Sequence, residues 1–383
     1  MDDQTKARMS ARTLAAQALG THDPVTKGIV HPIHMSATYL RDADNGYSAG
    51  YVYGRSDNVS LQQAENLVCA LEGGDEAMLF GSGMAAATMV LLALDKPTHI
   101  IASQVMYYGF RAWLREIGRY GHTVTFVETS DLNAVRGALR PETGLFWIET
   151  PSNPLWTITD IAAIAEIAHA AGAILCVDST VATPVFTKPL ALGADIVMHS
   201  ATKYLNGHSD VVAGALVANR DSALWERIRK MRGQLGGALS PFDAWLLMRG
   251  MRTLDVRVRA QAVSANMLAE KLVGYSGISA VLYPGLKEHP GHEVAVRQMT
   301  GGFGGMFSIR MKRGPKAAIA VAASVELWKR ATSLGGVESL IEHRASIEGE
   351  DSPCPCDLLR FSVGLEDPEE LYFDLTRALA IVS

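Results

Sequence analysis

Lys203 follows an apolar, strand-like stretch over 194–198 and two hydroxyls, Ser200 and Thr202, in the run Val197-Met-His-Ser-Ala-Thr-Lys-Tyr-Leu-Asn-Gly-His-Ser-Asp210. A lysine in a dry site loses its charge easily, and its neutral amine can then condense with an aldehyde. Hydroxyls beside it suit a phosphate. Twenty-five positions upstream, a second apolar run over 173–177 ends in Asp178. A carboxylate at one strand end and a lysine past the next match what pyridoxal 5'-phosphate (PLP) requires: a partner for its ring nitrogen and an amine for its aldehyde. The bland alternative is a surface lysine after a strand, and the flanking residues argue against it.

Two further runs suit the same ligand. Phe80-Gly-Ser-Gly-Met-Ala-Ala-Ala87 follows a short strand and opens a helix over 84–94. Small residues let the backbone approach an anion, and the amides of Gly83 and Met84 at a helix N-terminus favour negative charge. The same residues match a G-x-G-x-x-A dinucleotide pattern, but they lie far into the chain, with no acidic strand end at the expected interval. Phosphate binding is common to both readings. In Glu149-Thr-Pro-Ser-Asn-Pro154, a strand ends in a proline-framed turn. Asn153 there either points its carboxamide into the crevice or is a plain turn asparagine.

These groups need elements to hold them. Between roughly 77 and 218, short apolar runs alternate mostly with helical patterns such as 161–171. Alternation of this kind implies crossovers and a mostly parallel sheet of seven strands, covered on both faces. Ligands of such sheets bind beyond the strands' carboxyl ends, where Asp178 and Ser200 fall. Upstream, apolar spacing over 59–71 fits one helix face. Residues 1–55 lack periodicity and read as an extended arm, followed by a large domain over 56–250. A long helical pattern over 240–272, opened by Ser240-Pro241, bridges to a smaller C-terminal α/β domain over 251–383. That domain is expected to hold strands over 306–311 and 358–363, and helices over 315–324 and from Pro368.

The bulk numbers set few limits. The chain has 383 residues, 48% hydrophobic and 20% charged, and its net charge of -5 gives no reason to expect nucleic acid. Its four cysteines form no disulfide framework. Cys69 and Cys176 lie in apolar runs, while Cys354 and Cys356 alternate with prolines and lack the partners of a metal site. The first residues carry no apolar leader, and no run reaches membrane-spanning length, so a cytoplasmic protein is expected.

Five motifs in one order carry a resemblance: Gly-Ser-Gly-Met, Glu-Thr-Pro-Ser-Asn-Pro, the run around Lys203, Ser333-Leu-Gly-Gly-Val-Glu-Ser-Leu340 and Leu359-Arg-Phe-Ser-Val-Gly-Leu-Glu-Asp367. The chain resembles the Cys/Met-metabolism family of PLP enzymes, which includes cystathionine γ-synthase, cystathionine lyases, methionine γ-lyase and homoserine sulfhydrylases. The resemblance runs from about Thr26 to the C-terminal helix and implies a fold type I PLP-dependent transferase. It also implies a homotetramer, a dimer of dimers with shared active sites. By this likeness Lys203 holds PLP, Asp178 partners the pyridine nitrogen, and Ser200, Thr202, Gly83 and Met84 cradle the phosphate. Asn153 lies near the cofactor's phenolic oxygen and the substrate carboxylate. Arg360 clamps that carboxylate with help from Ser333. Tyr53 and Arg55 reach the neighbouring subunit's phosphate. One tyrosine stacks on the ring and serves the leaving group. A one-residue deletion in the loop before it puts Tyr107 in register; without the deletion Tyr108 takes that place, and Tyr107 is preferred.

Three departures concern the substrate side. Asn58-Val-Ser60 replaces the family's Asn-Pro-Thr, the segment between Ser346 and Leu358 is shortened, and Thr332 stands where cystathionine-handling members often carry glutamate. The expected activity is a carbon–sulfur lyase on a small sulfur amino acid, by β- or γ-elimination. The alternatives are a γ-replacement transferase taking a homoserine ester and, more distantly, a non-catalytic PLP-fold binding protein.

Overall fold

The computed structural model describes residues 9–219, 222–349 and 352–382. Residues 1–6, read above as lacking a leader, lie outside that range. The larger sheet has seven strands: β1 (Glu76–Phe80), β2 (His99–Ser103), β3 (Thr123–Val127), β4 (Thr143–Glu149), β5 (Ile174–Asp178), β6 (Ile196–His199) and β7 (Gly214–Ala218). Their order is β1-β7-β6-β5-β4-β2-β3. β2 pairs in parallel with β3 and β4, and β4 with β5, whereas β7 runs antiparallel to β1 and β6. Except in the edge strand β3, whose residues are mostly half-buried, their near-continuous apolar sequences are what a sheet covered on both faces demands. The smaller sheet, of order β10-β11-β12-β9-β8, contains β8 (Ile278–Leu282), β9 (Met306–Met311), β10 (Lys329–Arg330), β11 (Leu340–His343) and β12 (Leu358–Ser362). The α/β class and the mostly parallel large sheet thus agree with the reading of the sequence.

By backbone proximity the chain forms two compact units, each discontinuous in sequence. One comprises Met1–Pro97 with Asp195–Asp255, the other Thr98–Ala194 with Val256–Ser383. In the first, Asn58 caps helix Val59–Glu72 and Ser82 caps helix Gly83–Leu92, each hydroxyl or carboxamide oxygen accepting an otherwise orphaned amide. In the second, Ile101, Phe146, Ile148, Leu175 and Val177 pack on Ile161, Ile164 and Ala168 of helix Ile161–Ala170. Its five-stranded sheet is centred on Phe307 and Phe361, stacked 4.6 Å apart with Trp328 edge-on to Phe361. That core holds β12 rigidly, and with it Arg360.

Some details differ from the sequence reading. The pattern over 240–272 is two helices, Pro241–Met251 and Leu254–Leu272. At the break, the Thr253 hydroxyl and amide both donate to the Gly250 carbonyl, a local alternative to helical bonding. The arm contains a short helix, Ala11–Ala16, capped by Ser10. Strands β8 and β11 carry no local signal that the reading used.

Candidate active site

In the first unit, β6 ends at His199, whose Nε2 lies 2.5 Å from Glu72 Oε1, both side chains essentially sealed from solvent. This pair ties the strand end to helix Val59–Glu72. Ser200 follows, and the chain then turns, with the Lys203 amide donating to the Ser200 carbonyl (3.0 Å) and Gly207 to that of Lys203 (2.7 Å). The Thr202 hydroxyl and Ala213 exchange two hydrogen bonds: Oγ1 donates to the Ala213 carbonyl (3.1 Å) and accepts from its amide (2.9 Å). Buried Tyr204 and Leu205 hold the turn from beneath, so the partly buried Lys203 stands on a fixed base.

Opposite Ser200 lies Gly83. A Cβ there would sit 2.9 Å from the Ser200 side chain, so only glycine permits this approach. The Ser82 hydroxyl takes the Ala85 amide at 3.0 Å, and helix geometry leaves the N–H groups of Gly83 and Met84 without an intrahelical acceptor. Two such amides beside a serine hydroxyl form a donor set that fits a phosphate. The arm residues differ in setting. Tyr53 is half exposed, and Arg55 lies 5.6 Å over its ring while donating to the Gly233 carbonyl.

In the second unit, Asp178 closes β5 directly across from Glu149 of β4. Its Oδ1 accepts from the amide and hydroxyl of Thr180, at 3.0 and 2.6 Å. Glu149 is buried, and its two oxygens accept the amides of Tyr107 (2.7 Å) and Asn153 (2.8 Å). Burial and the neighbouring Asp178 push its carboxyl up to about 8, outweighing the two amides. One carboxylate therefore anchors two of the expected site residues. The Asn153 turn is braced further by Trp156, whose indole donates to Ser308 Oγ (2.8 Å), which donates in turn to the Pro154 carbonyl (2.9 Å). Burying that indole stabilises the turn's seat by ~4–6 kcal/mol, from 150–250 Å² at 25 cal/mol/Å².

Tyr107 presents a partly exposed ring packed close over Gly109, and burial followed by Tyr108 raises its hydroxyl above the ordinary tyrosine range. Tyr108 meets Tyr107 edge-on, centroids 5.2 Å apart, and its own ring lies 5.3 Å from the Arg344 guanidinium carbon.

Arg360 is 3% exposed. Nη1 donates to Asn153 Oδ1 (3.2 Å), and Nη2 to Glu342 Oε2 (2.6 Å) and to the Ser333 carbonyl (2.7 Å). Burial, then the like charge of Arg344, lower its guanidinium to about 10. Ser333 thus meets Arg360 through its backbone carbonyl, from a positive φ of 94° that is costly for a residue with a side chain. Thr332, next to it, is exposed. Asn153, Arg360 and Ser333 are brought into direct contact, and Tyr107 joins them through Glu149.

The sequence reading assigned no role to Glu149, Glu342 or Arg344. Glu149 opens the proline-framed turn, four residues ahead of Asn153. Glu342 reaches Arg360 only because β11 and β12 pair with these residues opposite one another, which no local pattern announces.

Comparison with known proteins agrees with this geometry. A family model described as Cys/Met metabolism PLP-dependent enzyme matches residues 12–380. The chain is 44% identical over 364 residues to a cystathionine gamma-synthase of Mycobacterium tuberculosis (strain H37Rv), covering 93% of each. It is 40% identical over 380 residues to a cystathionine gamma-lyase of Bacillus subtilis (strain 168), covering 97% of this chain and 99% of that one. The crystal structure of metB from Corynebacterium glutamicum superposes with a TM-score of 0.95 at 40% identity, over 99% of this chain and 100% of that one. With a phosphate-suited helix end, a fixed lysine, a strand-end aspartate and a buried arginine, the chain belongs to the Cys/Met-metabolism family of PLP-dependent enzymes.

Proposed function

We propose that this enzyme is a carbon–sulfur lyase acting on a sulfur-containing α-amino acid. The observation that carries the reading is Arg360: a buried guanidinium, touching Asn153, whose geometry suits a carboxylate. When bound, PLP supplies an electron sink for the charge left at the substrate's α-carbon. Gly83, Met84 and Ser200 would hold its phosphate, joined by Thr202 if its hydroxyl turns from the Ala213 carbonyl, and Asp178 would pair with its ring nitrogen. Arg360, positioned by the Ser333 carbonyl, binds the substrate carboxylate and fixes the direction of the Cα–H bond. Lys203 would carry the cofactor and, with its amine released, serve as general base for the α-proton and, in a γ-reaction, for a second proton at Cβ. Tyr107 attends the departing sulfur. Its partly exposed ring supports this choice over Tyr108, whose face is taken by Arg344.

A γ-replacement transferase is the second reading, favoured by relatives named cystathionine gamma-synthase. The same residues serve it; the difference is whether a thiol or water captures the unsaturated product. Incubation with cystathionine, methionine, cysteine and an activated homoserine, with and without a thiol, separates the readings. Keto acid released without thiol supports the lyase. A product formed only with thiol supports the transferase, and no reaction with PLP bound leaves a binding protein.

The active site is further proposed to be shared between subunits of a tetramer. In the 1–55 arm Val25, Ile29, Met35 and Leu40 are largely exposed, as an arm that docks on a second copy requires. No described helix is long and apolar enough to cross a membrane, and a cytoplasmic location is proposed.

A further inference from the structure

Arg344 is a second buried arginine beside the proposed carboxylate clamp, and the reaction outlined above gives it no part. Its side chain is 2% exposed, and each of its three nitrogens has a carboxylate partner. Nη1 donates to Glu342 Oε2 (2.8 Å), while Nη2 and Nε both donate to Glu348 Oε1 (2.7 and 3.0 Å). Its guanidinium face covers Tyr108. Glu348 belongs to the shortened segment between Ser346 and Leu358, and Ser352 of that segment donates to its other oxygen.

Glu342 Oε2 is therefore shared by two guanidinium groups, since Arg360 Nη2 donates to it as well. Glu342 and Arg360 are direct cross-strand partners on β11 and β12. A buried glutamate and arginine so placed would, alone, close into a bidentate pair, because parallel N–H···O bonds are stronger than one. Such a pair would take up the guanidinium edge that a ligand carboxylate needs. With Arg344 drawing on the same oxygen, Arg360 gives Glu342 only one bond. Of its bonds to Asn153, Ser333 and Glu342, the last alone goes to a carboxylate.

We infer that Arg344 is a positioning residue that holds Glu342 away from full pairing with Arg360 and so keeps Arg360 open to the substrate's α-carboxylate. Glu348 extends the device by fixing Arg344, which gives the shortened segment a role in substrate affinity. The inference rests on the proposed reading of Arg360.

The test uses the PLP-loaded enzyme with Arg344→Leu, Glu342→Gln and the double variant. Binding of L-alanine and of ethylamine, which lacks the carboxylate, is followed through the absorbance of the bound cofactor, and KM and kcat are measured on the turned-over sulfur amino acid. Arg344→Leu is expected to weaken L-alanine binding and raise KM by about tenfold or more, the scale of one charged hydrogen bond, with kcat changed less than about threefold. Ethylamine binding stays unchanged. Adding Glu342→Gln to Arg344→Leu removes the carboxylate that would collapse on Arg360, and brings KM back toward the wild-type value. Arg344→Lys, which keeps the charge and guards against misfolding of the leucine variant, is expected to lie between the two. Equal losses for L-alanine and ethylamine, or a double variant no better than Arg344→Leu, would overturn the inference. Failure of the underlying reading looks different: Arg360→Leu would then bind L-alanine as well as wild type.

Discussion

Two buried arginines, one in each compact unit, show what separates a structural ion pair from a binding one. Arg232, on helix Ala223–Leu235, has Glu65 to itself, and its Nη1 also donates to the Leu79 carbonyl (3.2 Å). Glu65 in turn accepts the Leu79 amide at 2.8 Å, so the pair staples a helix to β1. Phe80 covers the guanidinium. Arg360 is as deeply buried, yet it shares its carboxylate with Arg344 and leans on a carboxamide and a carbonyl. Burial and Arg344 lower its guanidinium to about 10. A cation with a carboxylate of its own is balanced where it stands; one that shares its carboxylate with a second cation is completed by an arriving anion.

The largest expected effects set these two residues apart. Arg232→Leu leaves Glu65 buried without its cation and is expected to cost about 3–5 kcal/mol in urea unfolding, with kcat and KM of the folded fraction unchanged. Arg360→Leu leaves Glu342 still bonded to Arg344, so its stability loss should be small. Its kcat/KM should fall about a hundred- to a thousandfold, as when one member of a buried charged contact is lost. The comparison breaks if Arg360→Leu unfolds as easily as Arg232→Leu while KM stays put.

The next effect concerns a carboxylate with a carboxylate for a neighbour. Glu149 faces Asp178 across β4 and β5, and burial with that repulsion pushes it up to about 8. A glutamate in the unfolded chain titrates near 4.3. The folded protein thus binds this proton more tightly, so its contribution to stability is complete below about pH 4.3 and is lost as pH rises toward 8, by on the order of a few kcal/mol. Glu149→Gln removes the titration. Relative to wild type, the cofactor-free variant should gain stability between pH 5 and 8, even though its amide cannot accept both backbone N–H groups. A pH-independent difference would show that Asp178 and burial do not govern Glu149.

How much of this was legible in the sequence depended on range. Apart from the half-buried edge strand β3, strands β1 to β7 were visible because both-face burial writes apolar runs into the chain, and Asp178, Ser200 and Lys203 were visible because they follow such runs. The break at Thr253 was not, since a hydroxyl competing for the Gly250 carbonyl leaves the apolar spacing intact. Glu342 and Arg344 were hidden for another reason. Their meaning comes from β11 lying against β12, and β11 is a four-residue strand, Leu-Ile-Glu-His, too short to show alternation. Motif resemblance supplied Arg360, but its electrical surroundings required the fold.

A third arginine sharpens the contrast from the exposed side. Arg55 donates to Gly233 and lies over Tyr53 near solvent. Arg55→Ala should leave urea stability within about 0.5 kcal/mol, as for most surface changes. If it reaches a neighbour's phosphate, PLP affinity falls by about tenfold, one charge-assisted contact. Mixing this variant with Lys203→Ala should then restore part of the activity through hybrid dimers. No recovery despite confirmed subunit exchange argues against a shared site.

The smallest effect is expected at Thr332, exposed beside the carbonyl that steadies Arg360. A glutamate there could pair with a substrate's distal ammonium, whereas threonine offers only a hydroxyl and a methyl. Without that charge, discrimination falls to fit, and apolar fit separates substrates by no more than about 100-fold. The wild-type enzyme should therefore accept cysteine or methionine within about 100-fold of cystathionine in kcat/KM, and release keto acid without a thiol acceptor. Thr332→Glu should move the preference toward cystathionine only a few-fold, because an exposed ion pair is screened by water. The same carboxylate would stand near Arg360, so KM for substrates lacking a distal ammonium should rise slightly. A shift toward methionine instead would mean that Thr332 faces away from the substrate, and that the distal contact is made elsewhere on this unit.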